Sequence, residues 1–205
     1  MTYKTEQEMF WAGEFGDEYI GRNPVENDLA ARTALFSRIL ARTNGVRSLV
    51  EFGANIGKNL RTIHHMFPGM GLSAIEINEK AVEELRKWGE AKVYHSSILD
   101  FSLDYPRDFS LVCGVLIHMN PDALPAVYDL LFEASSRYIC VIEYYNPSPV
   151  EIPYRGHSGR LFKRDFAGEI MDRFPGVRLV DYGFVYHRDN NFPLDDLTWF
   201  LLEKK

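Results

Sequence analysis

From about residue 44 onward, apolar runs of five to nine residues alternate with amphipathic stretches of ten to fifteen. The runs suit strands buried on both faces, and the stretches between them suit covering helices. The order begins with an apolar strand at Ser48–Phe52 and a helix Ile56–Phe67 stopped by Pro68-Gly69. Strand Gly71–Ile77 follows, then helix Asn78–Gly89 with Asn78 as its N-cap, and strand Lys92–His95. A connection through Asp100–Arg107 leads to strand Phe109–Val115. Helix Pro121–Ser135 opens on a proline, whose missing N–H costs nothing in a first turn. Strand Arg137–Glu143, an irregular stretch Tyr144–Leu161 and helix Lys163–Phe174 complete the alternation. Strands Val177–Val185 and Leu197–Glu203 have no helix between them, so they are expected to pair antiparallel. The pattern predicts an α/β fold: a Rossmann-like, seven-stranded, mostly parallel sheet with a C-terminal antiparallel hairpin and an antiparallel edge strand.

The first 43 residues differ in texture. Residues 5–42 read as helical but carry Phe10, Trp11, Gly13, Phe15, Gly16, Tyr19 and Gly21. Asn23-Pro24 breaks the pattern, because the residue before a proline avoids helix. A helix then runs from about Val25 to Ala41 on an apolar face of Leu29, Leu35, Phe36, Ile39 and Leu40. This divides one expected domain, 1–205, into a helical cap (1–43) and a core (44–205).

Composition narrows the partners. With 205 residues and 46% apolar content the chain can bury a full core. A net charge of −6 argues against nucleic acid. No apolar run reaches membrane-spanning length, and the start lacks a signal-peptide layout. Cys113 and Cys140 lie inside apolar runs, which fits reduced thiols in a cytoplasmic protein. No zinc spacing or nucleophile elbow appears, so no metal is expected.

The candidate chemistry starts where the first strand ends, at Glu51-Phe52-Gly53-Ala54-Asn55-Ile56-Gly57. Glycines at a strand-to-helix corner permit a sharp turn and close approach to a ligand. A dinucleotide turn needs a third glycine, and a P-loop needs Ser or Thr after Gly57-Lys58, where Asn59 stands. Glu51 would repel phosphate and attract an ammonium group. Glu76 ends the second strand, where an acid accepts hydrogen bonds from ribose hydroxyls. A ligand with a ribose, an amine and no phosphate is S-adenosyl-L-methionine.

These segments resemble the class I S-adenosylmethionine-dependent methyltransferases over nearly the whole chain. The resemblance implies cofactor contacts from Glu51, Gly53, Ala54, Asn55, Gly57, Glu76 and Ile77. It places an adenine-edge segment at Ser96-Ser97-Ile98-Leu99-Asp100, with Ser97 where the family has an acid. Phe109–His118 resembles the fourth motif, whose Gly114 and Val115 line the methionine side; Ser110 stands where aspartate is common. The amino end, from Glu6 to Asn23, is similar to a bacterial group described as pseudaminic acid biosynthesis-associated methylases, found with surface-polysaccharide genes.

Other residues leave two readings open. Phe10, Trp11 and Tyr19 are either a hydrophobic staple or, with Arg22, part of a lid that shields cofactor and acceptor from water. His118 is either a satisfied helix-start residue or a general base, and Tyr19 is a second catalytic candidate. The rim stretch carrying Tyr144, Tyr145, Asn146, Arg155, His157 and Arg160, with Lys163 and Arg164, is either a solvated charge run or an anion reader. The expected acceptor is a small anionic metabolite, with a nucleotide-activated sugar or phosphorylated surface-glycan precursor as its class. A non-catalytic methyltransferase-like binding module and a protein or peptide side-chain methyltransferase are the alternatives.

Overall fold

The computed structural model describes residues 2–23 and 28–205. In chain order the helices are α1 (Glu6–Ala12), α2 (Glu14–Arg22), α3 (Leu29–Leu40), α4 (Lys58–Met66), α5 (Glu79–Trp88), α6 (Leu124–Glu133) and α7 (Phe166–Arg173). The strands are β1 (Ser48–Phe52), β2 (Gly71–Glu76), β3 (Lys92–His95), β4 (Arg107–Cys113), β5 (Ser135–Glu143), β6 (Val150–Glu151), β7 (Phe162–Lys163), β8 (Val177–Phe184) and β9 (Thr198–Lys204). The expected break at Pro24 and helix start at Val25 lie outside the described residues.

Seven strands form one sheet in the order β3-β2-β1-β4-β5-β9-β8, and β6 pairs with β7 separately. Strands β1 to β5 are mutually parallel, and β9 runs antiparallel to both β5 and β8. The antiparallel strand is therefore not at the edge, as the sequence suggested; it is inserted between β5 and β8. Burial explains the choice. Trp199, Leu201 and Leu202 of β9 are buried, whereas Leu179, Tyr182 and Phe184 of β8 are exposed.

Alternation along each strand feeds two apolar layers. Leu49, Leu111 and Cys140 join α3 and α4 through Leu35, Phe36, Ile39, Leu60 and Ile63. Their neighbours Val50, Val112 and Val141 join α6 and α7 through Val127, Leu131, Phe166 and Ile170. The chain order reverses between β1 and β4, which leaves a crevice at their carboxyl ends.

Three element boundaries moved for local reasons. Helix α4 starts at Lys58 because Gly57 is left-handed at φ +79°. Helix α7 starts after Asp165, whose side chain accepts from the N–H of Gly168, while Phe162 and Lys163 pair with β6. Helix α6 is preceded by a separate turn at Pro121–Ala123 and ends at Glu133. No helix among the described residues is long and apolar enough to cross a membrane.

Candidate active site

The turn after β1 is tied to the end of β2. The N–H groups of Gly53 and Ala54 donate to the Ile75 carbonyl at 2.9 and 3.1 Å. Gly53 has φ +71°, and a Cβ there would stand 2.6 Å from Cγ2 of Val115. Only glycine lets the loops after β1 and β4 approach this closely. The N–H of Asn55 donates to Oε2 of Glu76 at 2.6 Å. Oε1 of Glu76 accepts from the N–H groups of Ile77 and Asn78 at 2.8 and 2.7 Å. Burial raises the Glu76 pKa, and these three donors oppose the rise. A carboxylate has about four lone-pair positions, so roughly one remains.

A cleft opens here, with about 930 Å³ of empty space including its solvent-open mouth. That size suits a small organic ligand. Of the residues singled out in the sequence, Gly53, Asn55, Glu76, Ile77, Ser97, Ile98, Gly114, Val115 and His118 line it. Trp11 and Tyr19 reach it from α1 and α2. Among the described residues no lysine or arginine lines the cleft, while Glu8 and Glu76 both do.

The loop after β4 is held by Glu143, whose Oε1 accepts from the N–H groups of Val115 and Leu116 at 2.9 Å each. Burial pushes Glu143 up to about 7. His118 Nδ1 is 2.6 Å from the Arg160 carbonyl. A carbonyl only accepts, so Nδ1 carries the hydrogen and Nε2 keeps its lone pair. The ring packs against both Trp11 and Tyr154, with centroids 4.8 Å away in each case. Burial pulls its pKa down to about 4, so the imidazole is neutral at physiological pH.

Several expected cofactor residues stand outside the wall. Glu51 shares the strand face of Leu49, which turns it toward α3 and α4. Its Oε1 accepts from Asn59 Nδ2 at 2.6 Å, and its Oε2 has no partner. Asn59 in turn accepts from Arg32, whose Nε is also buried without a partner. Burial raises Glu51 to about 8; Asn59 and Arg32 offset part of that. Cys113, which does line the cleft, lies within electrostatic reach of Glu51 and Arg32, and burial raises its thiol to about 12. Gly57 packs instead against α5, where a Cβ would stand 2.6 Å from Leu85 Cδ2. Ala54 is buried in the turn. Phe10 stacks on Phe15, with centroids 4.1 Å apart, rather than on the cleft.

None of the expected acceptor residues lines the cleft. Arg22 pairs with Glu18 at 3.0 Å and lies over Phe15. The Tyr144 hydroxyl donates to Asp195, and Tyr145 packs on Phe200 with centroids 5.9 Å apart. Asn146 donates to the Ser148 carbonyl within its own loop. His157 packs against Phe10 and Phe15. Arg160 pairs with Glu6 at 3.2 Å and Arg164 with Glu169 at 2.6 Å, so their charges are balanced. Arg155, exposed beside Tyr154, has no carboxylate partner among the described residues.

Sequence reasoning missed Thr5, Gln7, Glu8, Asn78 and Cys113 as wall residues. Thr5 and Glu8 are legible only as a capping box, which they form. Asn78 does cap α5, but its Nδ2 also donates to Asp17 at 2.8 Å and to the Trp11 carbonyl at 3.3 Å.

The fold is that of the class I S-adenosylmethionine-dependent methyltransferases. One similar structure is the 1,6-didemethyltoxoflavin-N1-methyltransferase of Burkholderia thailandensis, bound to 1,6-didemethyltoxoflavin and S-adenosylhomocysteine. It matches with a TM-score of 0.73 and 16% identity over 100% of this chain and 92% of that one. The magnesium protoporphyrin IX methyltransferase of Synechocystis PCC 6803, with bound S-adenosylmethionine, gives 0.68 and 12% over 100% of both chains. The plantazolicin methyltransferase, in complex with S-adenosylhomocysteine, gives 0.67 and 15% over 97% of this chain and 94% of that one. No family model and no curated protein matches the chain.

Proposed function

We propose that the chain is an S-adenosylmethionine-dependent methyltransferase acting on a small anionic metabolite. A nucleotide-activated sugar or phosphorylated precursor of bacterial surface polysaccharide is the class we favour, handled in the cytoplasm. The observation that carries the donor reading is the make-up of the cleft. It has two carboxylates, apolar walls and, among the described residues, no lysine or arginine, at the carboxyl ends of β1, β2 and β4. Such a wall rejects phosphates and accepts an adenosine that carries none. Behind that wall, the Glu51 carboxyl and the Arg32 guanidinium lie within electrostatic reach of Cys113, so an amino acid terminus bound at that end would feel both through space.

When bound, the cofactor supplies a methyl group already activated on a sulfonium. The chain's own contribution is then mainly placement and exclusion of water. Glu76 offers its remaining lone pair to ribose hydroxyls, while Ile77, Ile98 and Val115 supply apolar walls for the base. Helices α1 and α2 serve as a lid through Trp11 and Tyr19. His118, neutral and with Nε2 free, takes the acceptor's proton where the acceptor is a hydroxyl. The intact turn at Gly53 and the acid at Glu76 favour this over a non-catalytic module.

The acceptor reading rests on the likeness of the amino end to the pseudaminic acid-associated methylases and on Arg155, an exposed cation of the rim stretch with no carboxylate partner among the described residues. Mass spectrometry of reactions with nucleotide sugars and phosphorylated metabolites is expected to show a gain of one methyl group. Arg155→Ala is expected to raise the acceptor KM about tenfold, as for loss of a charged hydrogen bond, and leave cofactor affinity unchanged. Equal losses in both would remove the anion-reading role.

A further inference from the structure

We infer that Glu8, carried by the first helix, selects the adenine base of the methyl donor by accepting a hydrogen bond from its exocyclic amine. The inference rests on the donor reading above and assigns a specificity residue to it.

Glu8 is 6% exposed and lines the cleft beside Ser97 and Ile98, at the carboxyl end of β3. Its Oε2 is well supplied. It accepts from the N–H groups of Lys4 and Thr5 at 2.7 Å each and from the Thr5 hydroxyl at 3.2 Å. Its Oε1 accepts only from the Ser97 hydroxyl, which leaves one lone pair in place. No cation pairs with Glu8 among the described residues. The nearest by sequence, Lys4, is committed to Asp100 at 2.5 Å and the Leu99 carbonyl at 2.9 Å. Ser97 has spent its hydrogen on Glu8, and its oxygen accepts from the N–H of Leu99 at 3.0 Å. Of the Glu8–Ser97 pair, the group left to meet a ligand is therefore a carboxylate oxygen, a pure acceptor.

One turn further on, Trp11 shares the helix face of Glu8. Its Nε1 is buried without a partner, and its ring also lines the cleft. Helix α1 thus brings one acceptor and one free donor to a cleft with apolar walls at Ile77, Ile98 and Val115. The edge of adenine carries the complement: an amine that donates and ring nitrogens that accept. A 6-oxo purine presents an oxygen where the amine would be, and two acceptors then oppose each other. Sites built around a buried polar contact reject the analogue that lacks it strongly. Glu8 belongs to the helix that forms the lid, so base selection and lid seating are one event, linked through the 89-residue span between Glu8 and Ser97.

The test is calorimetric titration of S-adenosylhomocysteine and its 6-oxo analogue, S-inosylhomocysteine, into the wild type and Glu8→Gln. Glutamine still closes the capping box with Thr5 and can donate to a 6-oxo group. The wild type is expected to prefer the adenine ligand by about a hundredfold, in line with a charged hydrogen bond. Glu8→Gln is expected to narrow that preference to about tenfold or less. A ratio within one protein is insensitive to how stably that protein folds. Wild-type binding of S-adenosylhomocysteine without preference, or an unchanged preference in Glu8→Gln, overturns the role of Glu8 alone. Binding of neither ligand by the wild type overturns the donor reading and this inference with it.

Discussion

Replacing Glu51 with glutamine is expected to abolish a proton release that accompanies binding of S-adenosylhomocysteine. Burial places the Glu51 pKa at about 8, so at pH 7 the free protein holds this carboxyl about 90% protonated. The ligand brings an ammonium into a cleft whose Cys113 wall lies within electrostatic reach of Glu51. A nearby positive charge favours the carboxylate. If it lowers the pKa by about two units, binding at pH 7 releases about 0.8 proton, and at pH 9 only about 0.1. Titration calorimetry in two buffers of different ionisation enthalpy counts these protons. Glu51→Gln is expected to lose this release at pH 7. Equal proton counts in the two proteins, or none in the wild type at pH 7, would refute the reasoning. The same carboxyl sets a stability trend. Its folded pKa lies above the unfolded value near 4.5, so the folded state binds more protons in between. Its contribution is complete below about 4.5 and is lost as pH rises through 8, a decline the glutamine variant lacks.

Two further outcomes follow from single residues. Gly53→Ala puts a Cβ at φ +71° and 2.6 Å from Val115, which is expected to cost about 2–4 kcal/mol in denaturant unfolding. An unchanged midpoint would show that the loops do not meet as described. His118 is neutral down to about pH 4, so kcat is expected to show no inflection near the ordinary histidine value of 6.5. His118→Gln lowers kcat about 100-fold or more if the acceptor is a hydroxyl. A wild-type inflection near 6.5 that disappears in His118→Gln would contradict the buried, carbonyl-bound ring.

Much of this was legible in the residues. Apolar runs marked the inner parallel strands β1, β4 and β5, where both sheet faces are covered, whereas the edge strand β3 is short and carries Lys92 and His95. Gly53 and Glu76 were legible from their places at strand ends. The orientation of Glu51 was present too, since period two sets it with Leu49 toward the helices rather than the cleft. The interior place of β9 is written in Trp199, Leu201 and Leu202 against Arg178, Asp181 and Tyr182 of β8. What local pattern cannot carry is distant pairing. Gly57 meets Leu85, Glu8 meets Ser97, and Glu6 balances Arg160 only once the fold brings them together. For that reason the basic loop read as an open anion site, whereas two of its four lysine and arginine side chains, Arg160 and Arg164, are already paired.

Titration of S-adenosylhomocysteine into the wild type and Glu76→Ala, with NAD and ATP as comparison ligands, reads the chemistry of the cleft most directly. The expected result is one-to-one binding by the wild type, weakened about tenfold or more in Glu76→Ala, and no binding of the phosphate-bearing ligands. Unchanged affinity in Glu76→Ala, or preference for NAD or ATP, would contradict a phosphate-free adenosine site.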